Sequence, residues 1–136
     1  MSRLRVAWRR AVDACAHANR PGLAEVLTLL GPAAAASDWT CDGLDAAGPL
    51  AIDLLLETNA GPIHGTTLAE LSTGITLTLA GSFEATRPGD DRPWLALRVI
   101  DGGEFEVATR SRALLDDLRK SIRDHSATNG SALGED

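Results

Sequence analysis

The stretch Ile75-Thr76-Leu77-Thr78-Leu79-Ala80-Gly81-Ser82-Phe83-Glu84-Ala85-Thr86 alternates apolar residues with small or polar ones. A period of two predicts a β-strand with one buried face, formed here by Ile75, Leu77, Leu79 and Phe83. Gly81 stands where the pattern requires a side chain, and a glycine inside a strand is typical of a bulge or a bend. We therefore expect a bent strand that the other segments of the chain cover.

Segments on both sides of this strand continue the sheet. Residues 67–71 are expected to form a shorter strand, which residues 72–74 join to the central strand as a tight hairpin. After the central strand, a polar loop over residues 87–93 leads into a further strand over residues 94–100.

The last hairpin has a register that the side chains select. A three-residue loop at 101–103 gathers the apolar side chains on one face and opposes Arg98 to Glu106 on the other. A loop shorter by one residue would set Arg98 against Phe105 and mix the two faces. We therefore predict the three-residue loop, which gives the pairs Ile100 with Glu104, Val99 with Phe105, Arg98 with Glu106 and Leu97 with Val107.

Two helices are predicted ahead of the sheet. Residues 3–18 carry an apolar stripe that includes Trp8 and is bordered by Val12, while arginines lie on the opposite face. Pro21 suits the first turn of a second helix, in which leucine and valine recur at helical spacing. The pair Gly31-Pro32 then ends that helix.

The segment between these helices and the sheet is less regular. Residues 37–41 predict a short strand that leads to a turn at Asp42-Gly43. Residues 50–57 fit a helix, but their aliphatic residues also alternate with Asp53 and Glu57 as in a strand. Periodicity alone leaves both readings of this segment open.

The C-terminal region predicts one more helix and a tail. Ser111 is expected to cap a helix over residues 111–125, which carries a stripe of leucine and isoleucine. Residues 126–136 have the small, polar composition of a disordered tail. With 136 residues in all, we expect a single domain over residues 1–125 that includes this last helix.

Charge and hydropathy argue against several classes of function. The net charge of −6 disfavours nucleic acid as a partner, because phosphate contacts need clustered lysine and arginine. No apolar run approaches the roughly 18 residues that a membrane-spanning helix needs, so we expect no membrane partner. No signal peptide is recognisable, which predicts a cytoplasmic protein.

The chain also lacks the motifs of metal and nucleotide chemistry. Cys15 and Cys41 do not have the spacing of zinc ligands, and we expect them to be small buried apolar residues. Neither a phosphate-binding loop nor a dinucleotide fingerprint is present. We therefore predict no metal and no cofactor.

The order of the elements resembles the NTF2-like superfamily, especially its SnoaL-like and ketosteroid-isomerase-like members. The matching features are the opening helical pair, the short strand Asp38-Trp39-Thr40-Cys41-Asp42, the segment Gly48-Pro49 to Leu56 at the position of the family's third helix, and the later strands separated by Gly74 and Asp101-Gly102. The resemblance covers roughly residues 3–110 and favours a helix for residues 50–57.

This resemblance implies an α+β fold. A curved antiparallel sheet would wrap around the N-terminal helical pair as a cone-shaped barrel, here with an added C-terminal helix. It also implies an apolar pocket between helices and sheet, and a homodimer formed through the outer face of the sheet. By position, Trp8, Val12, Trp39 and Phe83 are expected to line the pocket.

The catalytic residues of the family carry over only in part. Its isomerases pair a carboxylate base with an oxyanion donor that is often a tyrosine, and this chain has no tyrosine. Residues 104–110 also lack the late His-Trp-Asp type of strand found in many SnoaL-like cyclases. The remaining candidates for an acid/base pair at the pocket mouth are Asp38 and His64.

Two functions follow from these observations. The first is a protein that binds an apolar small molecule in its pocket and isomerises or cyclises it by proton transfer, with catalysis itself undecided. The second is a noncatalytic dimerisation or regulatory interaction module. The missing tyrosine, an exposed sheet face with Thr76, Thr78 and Ser82, the basic first helix and the added C-terminal helix favour it.

Overall fold

A computed structural model of the chain describes residues 2–8, 22–100, 104–126 and 130–135. In these parts the fold is α+β, with helices packed on one antiparallel sheet. The elements in chain order are β1 Ser2–Trp8, α1 Leu23–Ala35, β2 Asp38–Ala47, α2 Ala51–Ala60, β3 Ile63–His64, α3 Gly65–Ser72, β4 Leu77–Thr86, β5 Leu95–Ile100, β6 Glu104–Thr109, α4 Arg112–Ser126 and β7 Gly130–Glu135.

The sheet is open, and its strand order is β3-β2-β4-β5-β6-β1-β7. Every adjacent pair is antiparallel. The predicted α+β class with an antiparallel sheet is therefore confirmed. Strands β2, β4, β5 and β6 carry the buried face, where Phe83, Leu97 and Val107 oppose one another across three strands.

The helices cover this face and close the core. Leu23 and Leu30 of α1, Leu54 of α2 and Leu68 of α3 are all almost completely buried. Leu115 of α4 joins the same apolar cluster. The burial of whole leucine side chains stabilises such a core by about 1.5–3 kcal/mol each, which is enough to fix the helices on the sheet.

The register predicted for the last hairpin is confirmed. In the structure Ile100 pairs with Glu104, Val99 with Phe105, Arg98 with Glu106 and Leu97 with Val107. The Arg98 and Glu106 side chains form an ion pair, with Nη2 and Oε1 3.3 Å apart. The apolar alternation thus determined the pairing as expected.

The helix predicted for residues 3–18 is wrong in its first part. Ser2–Trp8 forms β1, which lies between β6 and β7. This stretch alternates arginine with apolar residues and so fits a period of two as well as a helix, and pairing with the distant strand β6 decides the outcome. The rest of the predicted helix, including Val12, lies outside the described residues.

Residues 67–71 also differ from their prediction, since they belong to helix α3 rather than to a strand. The His64 side chain caps this helix by accepting a hydrogen bond from the Thr66 N–H, at 3.3 Å. Gly65 lies directly against the carbonyl oxygens of Ala34 and Ala35, an approach that only glycine permits. The cap and this contact make a helix here, and the predicted hairpin at 72–74 is therefore absent.

Three other predictions are met wholly or in part. Residues 51–60 form a helix, which resolves the open alternative. Gly31 leaves the helical conformation with φ 85° and ψ −175°, although one more turn follows it in α1. The Ser111 hydroxyl caps α4 by accepting from the Leu114 N–H at 3.2 Å.

Two strands also differ in extent from expectation. The short strand predicted at 37–41 continues through Asp42-Gly43 to Ala47. In the tail predicted to be disordered, Gly130–Glu135 forms β7 beside β1, while residues 127–129 and 136 lie outside the described residues. Strands pair through backbone N–H and C=O groups, so a segment of small, polar side chains can still form a strand.

The central strand β4 changes its facing near Gly81. Its pairing with β2 shifts register there, so that Ala80 opposes Asp45 while Thr78 opposes Ala46. Gly81 has a φ of 157°, a conformation that side-chain-bearing residues rarely adopt. The predicted bulge is therefore confirmed. It also exchanges the buried and exposed sides of β4 for Leu77, Thr78 and Leu79.

As a result, two of the four residues predicted to face inward are exposed. Phe83 and Ile75 are buried, whereas Leu77 and Leu79 are 40% and 44% exposed. Thr78 takes the inward position and is 5% exposed, and its Oγ1 has no hydrogen-bond partner. A one-residue shift moves a strand's side chains to the opposite face, which explains all three observations.

We expect the substitution Thr78→Val to stabilise the protein by about 1 kcal/mol, because it removes a buried hydroxyl that has no partner. Thr109→Val is the matched control in another strand. The Thr109 Oγ1 donates to the Trp94 carbonyl oxygen and accepts from the Ser111 N–H, so its loss should destabilise by about 1–2 kcal/mol. Urea unfolding measures both, and a destabilising Thr78→Val would contradict the inward facing.

Candidate functional site

The predicted acid/base pair lies at the edge of the sheet. Asp38 and His64 oppose each other in the short pairing of β2 with β3, as Trp39 and Ile63 do at the next position. Trp39 and Ile63 are buried, whereas Asp38 and His64 are both exposed. The structure thus brings the two candidate residues together, but on the side of the strands that faces solvent.

The hydrogen bonds of His64 are local. Its Nδ1 lies 2.8 Å from the Thr66 hydroxyl oxygen and accepts from the Thr66 N–H. These contacts assign the imidazole to the cap of α3. Within the described chain, no hydrogen bond joins it to Asp38.

The predicted pocket residues Trp39 and Phe83 are both 1% exposed and belong to the apolar core. The Trp39 indole donates to the Ala34 carbonyl oxygen at 2.8 Å, so its polar atom is satisfied inside the core. A cavity of about 20 Å³ lies beside Trp39, between α1 and α3. The side chain of Trp8 and the whole of Val12 fall outside the described residues.

Cys41 is the one reactive side chain of the described chain with a clearly perturbed acidity. It lies on β2 and is only partly exposed. Burial, with a smaller contribution from the neighbouring charge of Asp42, raises the pKa of the thiol to about 12. A thiol that stays protonated is a poor nucleophile, which disfavours a catalytic role.

We expect alkylation of Cys41 by iodoacetamide at pH 8 to be slower in the folded protein than in urea by roughly two orders of magnitude, because little thiolate is present. The measurement uses a Cys15→Ser variant, so that Cys41 is the single thiol. In the folded protein the rate should keep rising with pH beyond 10. A rate that levels off near pH 9 would contradict the raised pKa.

The described chain divides by charge into two halves. Residues 22–86 contain no lysine or arginine and eight acidic residues, all of which are exposed. We call this region the acidic half: Glu25, Asp38, Asp42, Asp45, Asp53, Glu57, Glu70 and Glu84. Among the described residues, none of the eight forms an ion pair.

Among the residues whose exposure the structure describes, the large exposed aliphatic side chains lie in this same half. On α2, Ile52 is 73% exposed, Leu56 61% and Leu55 39%, while Leu54 faces the core. On β4, Leu77 and Leu79 are the exposed pair that the shift at Gly81 produces. Helix α2 therefore has aliphatic residues on both its buried and its outward face.

A close backbone contact joins the start of α2 to the start of β4. The Leu50 N–H donates to the Gly74 carbonyl oxygen at 3.1 Å, and the Thr76 N–H donates to the Ala47 carbonyl oxygen at 2.8 Å. A Cβ on Gly48 would lie 2.7 Å from the Thr76 nitrogen, so only glycine fits. Gly48 therefore holds the segment before α2 against the segment before β4.

The sequence predicts the acidic character of this half more readily than the exposure of its aliphatic residues. The absence of lysine and arginine between Arg20 and Arg87 is visible in the sequence and indicates an acidic region. For the exposure of Leu77 and Leu79 the only signal is Gly81, which predicts a bulge but does not show on which side of it the facing reverses.

Comparison of the chain with protein-family models, with curated proteins and with solved structures gave no match. Within the described parts of the chain, each helix is too short or too polar to cross a membrane. The same parts contain no group of three or more His, Cys, Asp or Glu residues that could hold a metal ion.

Proposed function

We propose that this protein is a noncatalytic interaction module whose acidic half binds a basic, amphipathic segment of another protein. The observation that carries the proposal is the outward face of α2, where Ile52, Leu55 and Leu56 are exposed. Contiguous exposed aliphatic residues are typical of interaction surfaces, because their burial by a partner is favourable. An amphipathic helix or strand would supply the complementary apolar stripe.

Charge selects the kind of partner. Asp53 and Glu57 lie beside the aliphatic residues of α2, and no basic residue is present on this helix. A partner with lysine and arginine around its apolar stripe would pair with these carboxylates and bind faster at low salt. A second copy docked through the same face would instead bring two acidic surfaces together, at a Coulomb cost.

The pocket function has weaker support. An NTF2-like cone with an apolar ligand remains a proposal that rests on the sequence resemblance alone. Sites for small organic ligands measure roughly 300–1,000 Å³. The cavity beside Trp39 is about 20 Å³, close to the room that one water needs. The interior contacts of Trp39 and Phe83 therefore favour the interaction module.

The test uses two designed helical peptides, one with a leucine face and a lysine face and the other with glutamate in place of lysine. We expect the basic peptide to bind and the acidic peptide not to bind, as measured by titration calorimetry at low and high salt. The substitutions Ile52→Ser and Leu56→Ser together should weaken binding at least tenfold, because they remove about 1.5 kcal/mol or more of apolar burial. Asp53→Asn with Glu57→Gln should weaken it mainly at low salt.

Asp117→Asn on α4 is the matched charge control, since Asp117 is exposed but lies outside the acidic half. It should leave the affinity unchanged. Equal binding of both peptides, or an affinity that the two α2 variants do not change, would refute the proposal. A tight dimer that light scattering detects and that Ile52→Ser with Leu56→Ser abolishes would identify a second copy as the occupant instead.

A further inference from the structure

A polar cleft of about 470 Å³ lies outside the acidic half, and residues between Arg87 and Ser111 line it. It lies between the loop that connects β4 to β5 and the junction of β6 with α4. Three arginines line it, namely Arg87, Arg92 and Arg110, and all three are exposed. In the described residues, none of these guanidinium groups forms an ion pair with a carboxylate.

Trp94 forms one wall of the cleft and is held there by burial and by hydrogen bonds. This residue is 5% exposed, and its indole N–H donates to the Ser37 hydroxyl at 2.9 Å. Its carbonyl oxygen accepts from the Arg110 N–H at 3.0 Å, which ties the two sides of the cleft together. The guanidinium of Arg87 stacks over the indole ring, 4.4 Å from the ring centre, and is thereby oriented.

The loop on the other side has a defined turn. Arg87-Pro88-Gly89-Asp90 closes through a hydrogen bond from the Asp90 N–H to the Arg87 carbonyl oxygen at 3.0 Å. Gly89 has φ 88°, which suits the third position of a type II turn after proline. Arg92 comes two residues after this turn and lines the cleft.

Helix α4 begins at the same place. Ser111 lines the cleft and caps the helix, so the first turn of a helix of 15 residues lies next to the three arginines. Helix N-termini carry a partial positive charge that favours anions. This adds to the arginines but would not define a site without them.

We propose that this cleft binds the phosphate group of a small molecule. Guanidinium groups bind phosphate oxygens through paired, charge-assisted hydrogen bonds, and three of them line this cleft without ion-pair partners among the described residues. The volume of the cleft falls in the range of small-molecule sites. Asp90 and Asp91 also line it, and their charge limits the affinity for the anion.

The test is titration calorimetry with inorganic phosphate, glycerol phosphate and glycerol at constant ionic strength, together with NMR shifts of the Arg110 and Ser111 amides. We expect both phosphates to bind and glycerol not to bind. Arg92→Gln with Arg110→Gln should weaken binding roughly tenfold or more. Asp90→Asn with Asp91→Asn should strengthen it about threefold, because a like charge is removed.

Arg119→Gln is the matched control, since Arg119 lies on α4 and pairs with Asp116 away from the cleft. It should leave phosphate binding unchanged. Tighter binding of glycerol phosphate than of inorganic phosphate identifies an organic phosphate as the ligand, and the reverse order identifies free phosphate. An absence of phosphate binding, or an affinity that Arg92→Gln with Arg110→Gln does not change, would overturn the proposal.

Discussion

The backbone of Gly81 determines which side of strand β4 faces the core. Its φ of 157° and the register shift beside it displace the alternation of the strand by one residue. Phe83 therefore packs inside, while Leu77 and Leu79 are exposed and Thr78 is buried in their place. A substituted side chain at Gly81 would also meet the Phe83 ring at 3.1 Å, so the bulge and the core packing depend on each other.

The described chain has an apolar interior, and it has exposed aliphatic side chains on α2 and β4. Inside, Trp39 and Phe83 are 1% exposed and belong to the apolar core, and the cavity beside Trp39 is about 20 Å³. Outside, α2 keeps its aliphatic residues exposed among carboxylates. The arginines of the described chain beyond β1 lie in the other half, and three of them line a cleft of their own. The two surfaces that we propose for binding, the outward face of α2 and the arginine-lined cleft, therefore differ in the charged residues that they carry.

The sequence predicted those parts of the fold that depend on residues close together in the chain. The register of the last hairpin followed from its alternation and from Arg98 opposite Glu106, and the start of α4 followed from the cap at Ser111. The strand β1 could not be predicted, because its partner β6 is far along the chain and its own sequence fits two periods. Of the candidate site, the side-by-side placement of Asp38 and His64 was anticipated, but their exposure depends on pairing at the sheet edge.

Cysteine accessibility along β4 tests the account most directly. Single cysteines at positions 77, 78 and 79, in a chain whose Cys15 and Cys41 are replaced by serine and alanine, are exposed to a thiol reagent under native conditions. The account predicts rapid reaction of Leu77→Cys and Leu79→Cys and protection of Thr78→Cys, as their exposure of 40%, 44% and 5% requires. Protection at 77 and 79 together with reaction at 78 would show that the strand alternates without a bulge. This result would contradict the exposure of Leu77 and Leu79.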